Sequence, residues 1–168
     1  NLIIGQGDLL VTPLQICCGY AGLATGKIPR PVLLHSVLAH DGSSVVVDGI
    51  EMAKQQKRQF NPKFSKANIK VIRNGLRGVI SSGSVKSVFD GLGVAVSGKT
   101  GTAEVAGKDE YSWFVGYGPT KNPKYVCACC IEEGGAGATS AAPAVRSVLA
   151  QALGKKASHV SGSSTNER

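Results

Sequence analysis

Ser97-Gly98-Lys99-Thr100-Gly101-Thr102 is the stretch on which the reading of this 168-residue chain turns. It closes a letter-for-letter match to the phosphate-binding pattern G-x-x-x-x-G-K-[ST], running from Gly93 to Thr100. That loop works only with a strand ahead of its first glycine and a helix opening at the lysine. Here Val94 and Val96 alternate inside the supposed loop, and Thr102 and Val105 continue the alternation. A helix starting at Lys99 would also carry Gly101 and Gly107, each costing about 1 kcal/mol. The context therefore predicts a strand over Val94–Val105 that displays Lys99, and argues against a nucleotide site.

Two more strands follow in the pattern, Tyr111–Tyr117 and Tyr125–Ile131. Their connections, Gly107-Lys108-Asp109 and Gly118 to Pro123, suit antiparallel hairpins. Gly134-Gly135-Ala136-Gly137 then turns the chain into a last helix. Ser140 or Thr139 is expected to cap it, with Pro143 in its first turn and an apolar stripe at Val145, Val148, Leu149, Ala152 and Leu153. Upstream, Ile69, Ile72, Leu76, Val79 and Ile80 repeat at helical steps, and Gly83 is a natural stop. Residues 51–66 are polar and basic and read as a solvated linker; with one aromatic pair, Phe60 and Phe64, they do not suggest nucleic-acid binding. Val32–Ala39 and Ser44–Val47 read as short strands around the turn signal Asp41-Gly42. At the start, Thr12-Pro13-Leu14-Gln15 combines a capping threonine, a proline at the first helical position and a capping-box glutamine. Gly26 ends that helix, whose small side chains imply a close helix contact. The sum is an α+β fold: an antiparallel sheet of three consecutive strands flanked by helices. Residues 1–154 read as the folded part and 155–168 as a disordered tail.

Composition narrows the class further. Apolar residues make up 42 % and charged residues 18 %, as in a packed core. No apolar run approaches the ~20 residues of a membrane helix, and the start lacks the pattern of a signal peptide. Nineteen Lys and Arg against eleven Asp and Glu give +8, which favours acidic partners without naming one. Five cysteines cannot form a complete internal disulfide framework. Cys127-x-Cys129-Cys130 lacks zinc spacing, and strand neighbours face opposite ways, so the thiols read as small core hydrophobes and no metal is expected. His35, His40 and His159 have no motif around them.

The second meaning of the opening stretch is chemical. Lys-Thr-Gly along one strand is an element of serine acyl-transferring enzymes that act on D-alanyl peptides and β-lactams. Gly101 leaves the strand bare, so a substrate backbone can lie against it. The Thr100 and Thr102 hydroxyls and the Lys99 charge can hold a carboxylate. A backbone N–H facing the cleft can stabilise a tetrahedral oxyanion, worth about 3–4 kcal/mol per donor.

The match extends beyond three letters. Gly5-Gln6-Gly7, Thr12-Pro13-Leu14-Gln15, Lys99-Thr100-Gly101-Thr102-Ala103-Glu104, Trp113 through Pro119, Glu132-Glu133-Gly134-Gly135 and Ala141-Ala142-Pro143 occur in that order. The chain resembles the C-terminal half of the transpeptidase domain of class B penicillin-binding proteins of the elongation type. The resemblance implies Lys99 in the proton-transfer and electrostatic network around a catalytic serine. It implies Thr100 and Thr102 on the substrate carboxylate, the Thr102 N–H as an oxyanion donor, and Gly101 allowing close approach. It further implies peptidoglycan stem peptides and β-lactams as ligands, other wall-synthesis proteins as partners, no cofactor, and a membrane-anchored enzyme whose catalytic domain is extracytoplasmic.

One departure qualifies it. No serine is followed three positions later by lysine, and the only S-x-N, Ser164-Thr165-Asn166, lies in the tail. No G-x-S-x-G elbow supplies another nucleophile. The resemblance implies that both motifs, and strands pairing beside Tyr125–Ile131, belong to a missing N-terminal half. This chain alone is then expected to be inactive. A non-catalytic scaffold module and a β-lactamase-like relative are the alternatives.

Overall fold

A computed structural model describes residues 2–55 and 63–157. The middle of the expected linker, with Lys57, Arg58 and Phe60, and the tail from Ser158, with His159 and Ser164-Thr165-Asn166, lie outside the described residues.

After a short 3-10 turn at Leu2–Ile4, helix α1 spans Pro13–Thr25. Its start is the full capping box: Thr12 Oγ1 accepts from the Gln15 N–H at 3.2 Å, and the Gln15 side chain accepts from the Thr12 N–H at 2.8 Å. Gly26 closes it in the left-handed conformation, φ 84°, which costs glycine nothing. The small residues of α1 make the expected helix contact at Ala24, which packs with Leu76 of a later helix, and Gly22 adds a second close approach. A Cβ at Gly22 would sit 2.6 Å from Ile28 Cγ1, so the tightest approach is that of the returning chain. The helix itself lies mainly on the sheet.

Strands β1 (Ser36–Leu38) and β2 (Val45–Asp48) form a separate antiparallel hairpin, shorter at its first strand than the alternation suggested. Asp41 shapes the turn, accepting from the Ser43 N–H and hydroxyl. Helix α2 follows at Gly49–Gln55. The expected linker thus begins as helix: Asp48 accepts from the Glu51 N–H, and Glu51 pairs with Lys54. These local polar contacts leave no apolar periodicity to read.

Helix α3 (Lys66–Ser81) starts before its apolar stripe, at a Ser65 cap. Ile69, Leu76 and Ile80 are buried as expected, but Ile72 faces solvent at 42 % exposure. A one-turn helix, α4 (Lys86–Phe89), interrupts the connection that follows and buries Phe89. Strands β3 (Ser97–Ala103), β4 (Tyr111–Gly118) and β5 (Tyr125–Ile131) form the main sheet in the order β3-β4-β5, antiparallel throughout. Strand β3 is shorter than Val94–Val105 at both ends, and Gly91 and Gly93 adopt positive φ in the approach to it.

Helix α5 (Ala141–Ala152) covers one face of the sheet. Neither expected cap works. Thr139 and Ser140 hydroxyls donate back to the Ala136 and Gly134 carbonyls, and the Ala141 N–H is taken instead by Ser112 Oγ of β4 at 3.1 Å. The main core lies on this side, between Val145 and Leu149 of α5, Phe114 of the sheet and Val85 and Phe89. The opposite face carries a smaller cluster of Ala24, Leu76 and Tyr117 under α1 and α3.

Candidate active site

Strand β3 is a margin of the sheet: β4 pairs with it on one side, and no described strand pairs on the other. Its start is pinned by Arg77 of α3, whose guanidinium donates to the Val96 carbonyl at 3.0 Å, and by Ser97 Oγ with Thr120 Oγ1 at 2.9 Å. The lysine stretch is therefore extended, and Lys99 opens no helix. This disposes of the phosphate-loop reading, which needs that lysine at a helix N-terminus.

Along β3 runs a groove of about 500 Å³. All four expected site residues, Lys99, Thr100, Gly101 and Thr102, line it. Lys99 is exposed and its ammonium folds along its own strand, donating to the Thr100 carbonyl at 2.8 Å and Oγ1 at 3.3 Å. No carboxylate among the described residues pairs with it. Its positive charge and the neighbouring hydroxyls are thus available to an incoming anion. The unpaired margin of β3 adds backbone groups that can take an extended peptide as one more strand.

Gly101 has two close neighbours. It is paired with Trp113 of β4, and a Cβ at Gly101 would lie 3.2 Å from the Trp113 Cβ on the groove side. A Cβ at Gly137 would fall on the Trp113 carbonyl oxygen and 2.5 Å from that of Gly101. Glycine at 137 lets the loop before α5 lie directly against the strand pair and brace it. Ser112 ties the same loop down, donating to the Ala136 carbonyl at 3.2 Å.

The opposite wall was not legible as such. Gly5-Gln6-Gly7, Leu10 and Val11 run along it, and Ile16 and Tyr20 of α1 reach in beneath. Gln6 crosses to β3: its Nε2 donates to the Glu104 carbonyl at 2.9 Å and its Oε1 accepts from the Glu104 N–H at 3.2 Å. The groove is closed at its Glu104 end by this contact, beside Tyr111. Tyr111 OH donates to Glu132 and accepts from Lys108, and this hydrogen bond raises the Lys108 pKa further. Neither His35 nor His40 lines the groove.

The cysteines are all free, and none of them lines the groove. Burial pushes the Cys17, Cys127, Cys129 and Cys130 thiols up, so they stand as neutral groups. Against the expectation of core residues, all five are only half-buried; Cys127 and Cys129 pack against the edge of the main core.

An α+β unit with a lysine-threonine-glycine strand bordering an open groove is the arrangement expected of the penicillin-binding protein and β-lactamase fold class. Residues 2–150 match the penicillin-binding protein transpeptidase domain family, and the chain belongs to that family. It is similar to the peptidoglycan D,D-transpeptidase MrdA of Haemophilus influenzae, 28 % identical over 87 % of this chain and 24 % of that protein. Two solved structures share the fold. One is penicillin-binding protein 2 of Helicobacter pylori in complex with MreC, with TM-score 0.68 and 25 % identity over 91 % of this chain and 27 % of that one. The other is penicillin-binding protein A of Mycobacterium tuberculosis as an imipenem acyl-enzyme, with TM-score 0.69 and 25 % identity over 89 % of this chain and 32 % of that one. The likeness is to a penicillin-binding protein 2-type transpeptidase, of which the chain spans a quarter to a third of the length.

Proposed function

We propose that this chain is the lysine-threonine-glycine wall of a serine D,D-transpeptidase that cross-links peptidoglycan stem peptides and is acylated by β-lactams. The observation that carries the reading is the position of Lys99–Thr102: extended at an open sheet margin, beside a groove, with an ammonium that no carboxylate neutralises. In this reading the stem peptide lies antiparallel to β3. Thr100 and Thr102 hydroxyls and Lys99 hold its terminal carboxylate. The Thr102 N–H supports the oxyanion as a serine attacks the penultimate D-alanine carbonyl. Terminal D-alanine leaves with a proton, and an amine of a second stem peptide then takes the acyl group from the serine.

The nucleophile comes from outside these residues, on a segment N-terminal to them. The exposed apolar residues Leu10 and Val11 beside the groove, and the outer margin of β5, which no described strand covers, are the surfaces where that segment seats. A membrane anchor would lie in the same missing part; among the described residues no helix is long and apolar enough to cross a membrane. Association with other wall-synthesis proteins follows the same analogy, since the Helicobacter relative was solved with MreC.

Fluorescent penicillin tests the reading. It is expected to label the full-length protein covalently at a serine and to leave the 168-residue chain unlabelled. Labelling of the isolated chain at a defined residue refutes the assignment of the nucleophile. A full-length protein that takes no label, and whose upstream part lacks S-x-x-K, is the scaffold module instead.

A further inference from the structure

The net charge of this chain is concentrated in one place. Between Glu51 and Asp90 there are nine Lys and Arg and no Asp or Glu, so the whole of the +8 resides there. Helix α3 carries Lys66, Lys70, Arg73 and Arg77 with no acidic residue in its first turn and no basic residue in its last. Lys66, in the first turn, stands where a helix dipole favours a carboxylate.

The structure gathers three of these cations at one groove. A concavity of about 470 Å³ lies between the C-terminal end of α1, at Thr25 and Gly26, and the N-terminal half of α3. Phe64 and Ile69 give it an apolar floor, and Lys66, Lys70 and Arg73 form its rim. Arg73 is anchored by its Nε, which donates to the Leu23 carbonyl at 2.6 Å and joins the two helices. Among the described residues the ion pairs are Lys54–Glu51, Lys86–Asp90 and Lys108–Glu132, so no carboxylate neutralises Lys66 or Lys70.

We infer that this groove is a docking site for an acidic peptide segment of a partner protein, with an apolar side chain seated between Phe64 and Ile69 and carboxylates on Lys66 and Lys70. Charge complementarity selects the sign of the partner. Shape selects its class: a flat lipid surface cannot enter a concavity, and a single lining aromatic is too little for the stacked bases of a single-stranded nucleic acid. The site is separate from the groove along β3 and stands whether or not the catalytic reading does.

The test uses the full-length protein and a fluorescein-labelled peptide of sequence Asp-Glu-Leu-Leu-Glu-Asp, read by anisotropy. Expected are saturable binding that weakens as salt rises, no binding of the Asn-Gln-Leu-Leu-Gln-Asn peptide, and a loss of about tenfold in the Lys66→Glu/Lys70→Glu variant. Phe64→Ser is expected to weaken binding as well, whereas Lys124→Glu, which does not line the groove, leaves it unchanged. Penicillin labelling is expected to be the same in all of these variants. Absence of saturable binding, equal binding by the double charge reversal, or preferential capture by phosphatidylglycerol vesicles or by single-stranded DNA overturns the inference.

Discussion

The side-chain amide of Gln6 makes both hydrogen bonds of a backbone pair with Glu104, ninety-eight residues away, and so continues the ladder of β3 past its last strand residue, Ala103. The two walls of the groove are joined at this point. Each bond is exposed and contributes about 0.5–1.5 kcal/mol. Gln6→Ala in the full-length protein is expected to slow acylation by fluorescent penicillin about tenfold. Its unfolding midpoint should change little, because both bonds are exposed and water replaces them. Unchanged acylation would show that the clamp does not set the groove.

Lys99 separates function from stability. It is exposed and bonds only to Thr100, so Lys99→Ala should alter the unfolding free energy by less than about 0.5 kcal/mol. Loss of its charge beside the proposed serine should lower acylation by about a hundredfold or more. Denaturant unfolding and stopped-flow labelling of the same preparation read the two quantities.

Ser112 is the tie between β4 and α5. It is fully buried, and its hydroxyl serves both the Ala136 carbonyl and the Ala141 N–H. Ser112→Ala leaves the Ala141 N–H without that partner, at a cost of about 1–3 kcal/mol where water cannot reach, whereas the Ala136 carbonyl still accepts from the Thr139 hydroxyl and N–H. Urea unfolding should show the loss as a lower midpoint at unchanged slope.

Gly137 tests the brace behind the strand pair. A methyl group there falls on the backbone of Trp113 and Gly101, and neither backbone can yield without moving β3. Gly137→Ala is expected to destabilise the fold by about 1–3 kcal/mol and to reduce penicillin acylation together with it. A variant of normal acylation rate would place the loop elsewhere.

The thiols set an alkaline limit. Burial raises the folded values of Cys17, Cys127, Cys129 and Cys130 above the ordinary 9.0. Unfolded chains then release these protons first as pH rises, so the stabilising contribution is whole below that ordinary value and is lost as pH climbs through the raised ones. Unfolding midpoints should fall as pH rises above about 9, and iodoacetamide should alkylate the folded chain slowly at neutral pH. Rapid alkylation of these four thiols at pH 7 would contradict the raised values.

Much of this protein was written locally. Thr12-Pro13-Leu14-Gln15 specifies a capping box because all of its partners lie within three residues. Tyr125–Ile131 is a strand from its own alternation and flanking turns, and the residues around Lys99 by themselves exclude a helix there. What failed was also physical. Ser140 and Thr139 looked like caps, but the Ala141 N–H goes to Ser112, which sequence distance hides. The polar start of 51–66 is helical through Asp48, Glu51 and Lys54, contacts that leave no apolar period. Lys99 through Thr102 could be named from their order alone. Their surroundings could not: Gln6 reaches Glu104, Gly137 lies behind Gly101, and Tyr20 comes under the groove only because the sheet and α1 pack as they do. Hydrogen bonds within a turn of chain are fixed by the residues that flank them, whereas contacts made across a hundred residues exist only once burial of the core has brought those segments together.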